Sequence, residues 1–213
     1  MGSEGRAAPR RSSRPKPAGR AACLCVSARR QAKLAVDPRR TLVLVAAWPD
    51  RQCRPEIIAW LLASGFEVND PRVLQTYSRL GKTDYEIPAR NLAVREIALK
   101  SSARDFIFID KDIVPGSATE PFLRLIGDVV GAEFPTACPG AWDSPRDVHA
   151  GLLRCSRAVL EALAPGPWFM REYSPDGCRI VKCPCQFFRD RALAAGFTVA
   201  RAGRCGHGVA PPR

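Results

Sequence analysis

Two carboxylates separated by one residue, Asp110 and Asp112, follow the apolar part of the run DFIFIDKDIVPG, residues 105–116. An extended backbone would point both side chains to the same side of the chain. Two carboxylates so close together are costly unless a cation lies between them. A hard divalent cation bound to a diphosphate would meet that need. The residues alone leave a second interpretation open, in which Asp110 caps a turn and Lys111 neutralises Asp112.

The segments around these carboxylates alternate between strand and helix patterns. The run TLVLVAAWPD (41–50) is typical of a buried parallel strand, and the helical pattern of RPEIIAWLLASGFEV follows, stopped by Gly65. A second helix is predicted over 89–103, before the strand DFIFID. Further helix and strand patterns lie in PFLRLIGDVVGAEFP, VHAGLLRCSRAVLEALA and QFFRDRALAAGFTVARAG. The alternation predicts an α/β domain with a mostly parallel sheet and helices on both faces. Ligands of such sheets bind beyond the carboxyl ends of the strands, which is where Asp110 and Asp112 lie.

Positive charge is concentrated at the start of the chain. The net charge of the 213 residues is +12, and residues 1–40 hold 11 Lys and Arg against Glu4 and Asp37. We therefore predict a basic, disordered tail over 1–38 and a single domain over 39–213. Two other roles for the tail stay open: an arm that binds nucleic acid or an anionic membrane surface, and an organelle transit segment.

Two further features suggest the compartment. The sequence has no run of 18 apolar residues, so no transmembrane helix is predicted. The cysteine count of nine is odd, and the cysteine spacing is not that of a compact secreted scaffold. We expect a cytoplasmic protein, with contact to a membrane surface left open for the tail.

Four segments, in order over roughly residues 40–209, resemble nucleotide-sugar glycosyltransferases of the GT-A fold, of the group called glycosyltransferase family 2-like. The similar segments are IPARNLAVREIALKSSARDFIFIDKDIVP, DVVGAEFP, HAGLLRCSRAVLEALAPGPWF and FFRDRALAAGFTVARAGRCGH. The resemblance implies a GT-A-like Rossmann-type sheet and transfer of a sugar from a nucleotide donor, UDP-linked, to a hydroxyl of a glycan, protein or small molecule.

The resemblance also implies roles for individual residues. Asp110 would lie near the ribose and, together with Asp112 and His207, would hold the Mn²⁺ or Mg²⁺ ion. Arg90 could contact the nucleotide or brace the carboxylate strand; a plain surface role is the remaining option. The nucleotide site would comprise Trp48, Asp50, Arg90, Asn91 and Asp110.

The general base is the point at which the resemblance fails. The family's Glu-Asp pair falls on Pro184 and Cys185, and a thiol is poorly matched to deprotonating an acceptor hydroxyl. Asp176 and Asp143 are other candidates, and a retaining mechanism or weak catalysis stays possible. The acceptor side would include Asp143, with Trp168 and Phe169 as an apolar wall for a sugar ring.

A rival metal site uses thiols in the same region. The set Cys183, Cys185, Cys205 and His207 forms C-x-C…C-x-H, and three thiolates with an imidazole can hold structural zinc. Such a site would compete with the expected role of His207, because one imidazole nitrogen cannot serve two metals. Semi-buried thiols without metal are the alternative for each cysteine.

Overall fold

The computed structural model describes residues 34–47, 53–78, 83–133 and 148–207 of the chain, with the backbone alone at 47, 78, 83–86 and 207. Three predicted site residues, Trp48, Asp50 and Asp143, lie outside the described residues, as does most of the predicted tail over 1–38. Residues 34–38 are described, and they pack against the domain. Val36 is buried, and the amide of Ala35 donates to the carbonyl of Leu123.

Within the described residues, six strands form the central sheet and four shorter strands make two small ribbons. The strands are β1 (Thr41–Ala47), β2 (Leu74–Ser78), β3 (Asp105–Asp110), β4 (Ile113–Val114), β5 (Val129–Glu133), β6 (Leu152–Ser156), β7 (Glu172–Tyr173), β8 (Ile180–Lys182), β9 (Val199–Arg204) and β10 (Gly206–His207). The helices are α1 (Pro55–Ala63), α2 (Thr83–Ala93), α3 (Glu120–Arg124), α4 (Arg157–Ala162) and α5 (Pro184–Ala194). A π-helical turn, Val94–Ala98, continues α2, and short 3₁₀ turns precede β1 and α3.

The central sheet is mostly parallel, as predicted. Its strand order is β2-β1-β3-β6-β5-β9, and among these six described strands β6 alone runs antiparallel to its neighbours, β3 and β5. The other five strands therefore end at one edge of the sheet, here called the carboxyl edge, and begin at the opposite amino edge. Asp110 is the last residue of β3 and lies at the carboxyl edge.

Two hydrophobic clusters confirm the prediction of helices on both faces of the sheet. Alternate residues of β1 and β3 point to opposite faces, because successive side chains of a strand do so. Leu42 and Phe106 join the cluster that contains residues of α2, α4 and α5. Val43 and Ile107 join the cluster that contains residues of α1 and α3. The chain is thus an α/β protein with a Rossmann-like, three-layer arrangement.

The predicted helix over 89–103 has the wrong bounds. Helical backbone begins at Thr83 and ends at Ala98. Pro88 lies inside α2, in its second turn, where its missing N–H removes one intrahelical hydrogen bond. The helix ends before the predicted residue 103 because the Arg157 guanidinium donates hydrogen bonds to the carbonyls of Ala98, Ser101 and Ala103. These bonds take the place of a further helical turn.

No helix within the described ranges is long and apolar enough to cross a membrane.

Candidate functional site

A buried ion pair fixes Asp110 at the carboxyl edge. Asp110 is 7% exposed, and its Oδ1 accepts a hydrogen bond from Nη2 of Arg90 at 2.6 Å. The backbone N–H of Asp110 donates to the carbonyl of Gly151 at 2.8 Å, so both backbone and side chain are held. Arg90 is 3% exposed, which excludes the plain surface role. The geometry is that of an arginine that braces the carboxylate strand.

The guanidinium of Arg90 lies in a small aromatic setting. Its Nε donates to the hydroxyl of Tyr77 at 3.4 Å, and its Cζ lies 5.2 Å from the centre of the Phe169 ring. Cation–π contact of this kind favours a positive charge over an aromatic face. Tyr77 was missed by the sequence analysis, although it lies near the end of β2, at the edge where a parallel sheet binds ligands.

Asn91 was predicted to contact the nucleotide, but in the structure its side-chain amide binds the backbone of residues 168 and 169. Its Oδ1 accepts hydrogen bonds from the backbone N–H groups of Trp168 and Phe169, at 2.9 and 3.0 Å. Its Nδ2 donates to the carbonyl of Phe169 at 2.7 Å. Three of the four hydrogen bonds that an Asn amide can make thus go to one backbone segment. Asn91 holds that segment against α2 instead of facing a ligand.

The predicted acceptor wall of Trp168 and Phe169 is wrong, because both rings belong to the core. Trp168 is 3% and Phe169 0% exposed. The indole N–H of Trp168 donates to the carbonyl of Leu160 at 2.8 Å, and the Phe169 ring stacks on Phe188 at 4.9 Å. Apolar rings gain more from this packing than from a solvated wall. The Phe169 ring packs against the Arg90 guanidinium of the ion pair, and neither buried ring can touch a sugar.

The backbone brings residue 207 beside the two carboxylates. Ile113 and Val114 of β4 follow Asp112 directly, and they pair antiparallel with β10, with His207 opposite Ile113. Asp112 itself is half-buried. Positions 110 and 112 therefore meet position 207, which is far from them in the chain, at the carboxyl edge. This juxtaposition is what a shared metal site would require.

The possible metal ligands at the carboxyl edge suit a hard divalent cation only in part. Arg90 already neutralises Asp110, so we expect Asp112 to be the carboxylate that binds a cation. Among the described residues, no group of three or more His, Cys, Asp or Glu side chains has the arrangement of a metal site. The side chain of His207 is not among those described, so its predicted role as a ligand stays a prediction.

The cysteines of the alternative zinc site do not come together. Cys183 and Cys185 belong to the hydrophobic cluster on one face of the sheet, and Cys205 belongs to the cluster on the other face. Cys183 caps α5, since its Sγ accepts from the backbone N–H of Gln186 at 3.5 Å. Burial raises the pKa of the Cys205 thiol to about 12, which disfavours the thiolate that zinc requires. The zinc prediction is therefore wrong for these three thiols.

The two described candidates for the general base are Cys185 and Asp176, and neither has the surroundings expected of a general base. Cys185 is buried in the first turn of α5, where its Sγ accepts from the backbone N–H of Ala150 at 3.3 Å. Asp176 lies in the turn between β7 and β8, where its carboxylate accepts from the Ser174 hydroxyl and from the Cys178 N–H. Those hydrogen bonds lower the pKa of Asp176. A carboxylate with a lowered pKa is a weak base, so we favour a structural role for Asp176.

A cleft of about 530 Å³ lies at the other end of the sheet. Its lining includes Arg40 before β1, Arg72 before β2 and Ser102 before β3, so it belongs to the amino edge. Ligands of open parallel sheets bind at the opposite edge. The buried charge at Asp110 is a stronger indication of a site than this open volume, because charged side chains are seldom buried without a reason.

Comparison with known proteins adds evidence on the fold. No family model matches the chain, and no curated protein matches it. Among solved structures, A197 from STIV is similar with a TM-score of 0.50 and 14% identity, over 80% of this chain and 86% of that one. At this identity the likeness concerns the fold alone, and it agrees with the Rossmann-like α/β architecture described above.

Proposed function

We propose that this protein is a metal-dependent glycosyltransferase, which moves a sugar from a UDP-linked donor to a hydroxyl acceptor. The observation that carries the proposal is the meeting of Asp110, Asp112 and residue 207 at the carboxyl edge, around the buried Arg90–Asp110 pair. The sequence resemblance to GT-A glycosyltransferases supports the same assignment.

The residues at this edge would contribute by their position and charge. Arg90 holds Asp110 in one orientation, so its second oxygen can accept a hydrogen bond from a ribose hydroxyl without first losing side-chain entropy. Asp112, and His207 by prediction, would hold Mn²⁺ or Mg²⁺. When bound, such an ion offsets the charge of a departing nucleoside diphosphate. The strands β1 and β3 supply a rigid base for these groups.

The described residues offer no carboxylate in the position of a general base. The proposal therefore includes an acid of the segment 134–147, such as Asp143, or a retaining mechanism that needs no such base. This separates donor binding, which depends on Asp110 and Asp112, from acceptor activation, which depends on another part of the chain.

The direct test is ligand-dependent stabilisation. UDP with Mn²⁺ should raise the melting temperature of the full chain, by an amount equivalent to about 2.7 kcal/mol at a hundredfold excess over Kd. Asp112→Asn should remove the part that depends on Mn²⁺. Asp70→Asn, which alters a partly exposed carboxylate at the amino edge, is the matched control and should retain the Mn²⁺-dependent stabilisation. Equal stabilisation of both variants, or none of the wild type, would contradict the proposal.

Release of UDP from a panel of UDP-sugars then tests for transfer. Asp176→Asn should leave the rate unchanged, since Asp176 holds a turn. A large loss in the rate of UDP release in that variant would indicate that Asp176 is the general base.

A further inference from the structure

The guanidinium of Arg90 makes three contacts of different kinds. Its Nη2 donates to Oδ1 of Asp110 at 2.6 Å, its Nε donates to the Tyr77 hydroxyl at 3.4 Å, and its Cζ lies over the Phe169 ring, 5.2 Å from the ring centre. A guanidinium that is bonded at two nitrogens can still tilt about the line that joins them. The aromatic ring limits this tilt, and it therefore helps to set where Nη2 meets the carboxylate.

The Phe169 ring is itself fixed by two other rings. It stacks on Phe188, with centroids 4.9 Å apart and planes 10° apart, and it meets Phe108 edge to face at 5.8 Å. All three side chains are 0% exposed. Rings packed in this way have little room to move. Arg90 thus lies against a rigid surface.

The backbone of Phe169 is held by the residue that follows Arg90. Asn91 accepts a hydrogen bond from the Phe169 N–H at 3.0 Å and donates to the Phe169 carbonyl at 2.7 Å. Consecutive side chains of a helix point about 100° apart. One turn of α2 therefore reaches Asp110 with one side chain and the backbone of Phe169 with the next, so the ring and the guanidinium are placed by the same helical turn.

We propose that Phe169 is a positioning residue for the carboxyl edge. Through Arg90, it sets the orientation in which Asp110 meets a ligand, while the burial of its ring excludes contact with that ligand. For the identity of the ligand the inference rests on the proposed function, which assigns to Asp110 a ribose hydroxyl of UDP.

A matched contact at the amino edge provides the control. The guanidinium of Arg157 lies over the Phe106 ring at 5.4 Å, and Phe106 is 0% exposed and belongs to the same hydrophobic cluster as Phe169. Arg157 donates to the carbonyl of Ala103 at 2.8 Å. Phe106 precedes Asp110 by four residues of β3, about 13 Å along the strand. The two ring contacts have the same chemistry, but the arginine at the amino edge does not hold Asp110.

A double-mutant cycle tests the positioning without a ligand. Phe169→Leu is combined with Asp110→Asn, and urea unfolding of the full chain is followed by circular dichroism. We expect the two losses to be non-additive by about fivefold in the unfolding equilibrium constant, which is the size of a cation–π contact. The same cycle with Phe106→Leu should be additive. Additive losses in both cycles, or equal coupling in both, would overturn the proposal.

The affinity for UDP tests the consequence for ligand binding. Isothermal titration with UDP and Mn²⁺, at a temperature where every variant is folded, should give a Kd about fivefold weaker for Phe169→Leu than for the wild type. Phe106→Leu should bind as the wild type does. A loss of stability alone would not change the Kd of the folded chain. Equal Kd values for the two leucine variants would contradict a role of Phe169 in positioning.

Hydrogen exchange of the wild type gives a result even if Phe169→Leu does not fold. Because linkage is reciprocal, a ligand at Asp110 stabilises the positioning segment by the same factor by which that segment strengthens binding. UDP with Mn²⁺ should slow exchange of the Trp168 and Phe169 N–H groups about fivefold more than that of the Arg104 N–H. The Arg104 N–H donates to the Arg40 carbonyl at the amino edge. Equal slowing at the two edges would overturn the proposal.

Failure of this proposal and failure of the proposed function give different results. Coupling in the Phe169 cycle, together with no affinity of the wild type for UDP, would refute the proposed function and support the positioning of Asp110. Affinity for UDP that Phe169→Leu leaves unchanged would support the proposed function and refute the positioning.

Discussion

The two edges of the central sheet each carry an Arg–Asp ion pair, and the pairs differ in their contact with water. The side chains of Arg90 and Asp110 at the carboxyl edge are 4% and 11% exposed, whereas those of Arg72 and Asp70 at the amino edge are 86% and 19% exposed. The exposed pair lines a cleft of about 530 Å³, and the buried pair is enclosed by aromatic rings.

This difference shows that the open cleft and the buried ion pair lie at opposite edges of the sheet. An exposed ion pair stabilises little, because water solvates both charges nearly as well as they solvate each other. A buried pair carries a desolvation penalty that the protein must offset with good geometry and further hydrogen bonds. The carboxyl edge is where the chain has fixed a charge in one orientation, and this is the property that ligand recognition needs.

Removing one partner of the buried pair should have the largest effect. Asp110→Ala leaves the Arg90 guanidinium buried without its carboxylate, and we expect a loss of about 3–5 kcal/mol in the free energy of unfolding. Urea unfolding followed by circular dichroism measures it. Arg72→Ala is the matched change at the amino edge and should leave the midpoint nearly unchanged.

A double-mutant cycle that combines Asp110→Asn with Arg90→Met measures the interaction free energy between the two side chains. The double variant should be more stable than the sum of the single losses predicts, because it buries no unpaired charge. Additive losses in the cycle would mean that the two charges do not interact in the folded state, and the contrast between the edges would disappear.

Loss of the Asn91 amide should have the next largest effect. Asn91→Ala leaves the buried N–H groups of Trp168 and Phe169 without their acceptor, which we expect to cost about 2–3 kcal/mol. Asn91→Asp keeps an acceptor for both N–H groups but cannot donate to the Phe169 carbonyl. It should therefore fall between wild type and Asn91→Ala in urea unfolding. Equal losses in the two variants would show that the accepted bonds contribute little.

The sheet was predictable from the sequence where strands are apolar on both sides. The segments TLVLVAA and DFIFID are continuous apolar runs, which a strand covered by helices on both faces requires, and both strands occur as expected. The strand LQTYS, β2, was missed because an edge strand can carry polar residues without losing its pairing to β1. A pattern read along one segment cannot show which neighbour will pair with it.

The candidate site was predictable in position but not in its contacts. A carboxylate at the end of an apolar strand indicated the carboxyl edge, and Asp110 lies there. The partners of Asn91 lie 77 and 78 residues further along the chain, and no local pattern connects them. Trp168 and Phe169 were assigned to the surface because a short aromatic segment after Pro-Gly-Pro has no periodicity that distinguishes an inward from an outward face.

The smallest effect should come from a polar link at the amino edge. Asp128, just before β5, accepts hydrogen bonds from the backbone N–H and the hydroxyl of Thr198, at 2.9 and 2.7 Å, and these bonds lower the pKa of Asp128. A carboxyl group whose pKa is lower in the folded chain stabilises it at any pH above the ordinary carboxyl value. That contribution disappears as the pH falls through the lowered pKa.

Asp128→Ala should therefore lose about 1 kcal/mol at pH 7, because two hydrogen bonds to a largely solvated carboxylate are removed. The difference from wild type should shrink as the pH falls below the ordinary carboxyl range of about 4. Urea unfolding of both proteins across that range measures it, with Thr198→Val as the partner change. A difference that stays constant with pH would show that the carboxylate charge is not involved. Polar contacts at the amino edge would then act through packing alone, in contrast to the charge-dependent pair at Asp110.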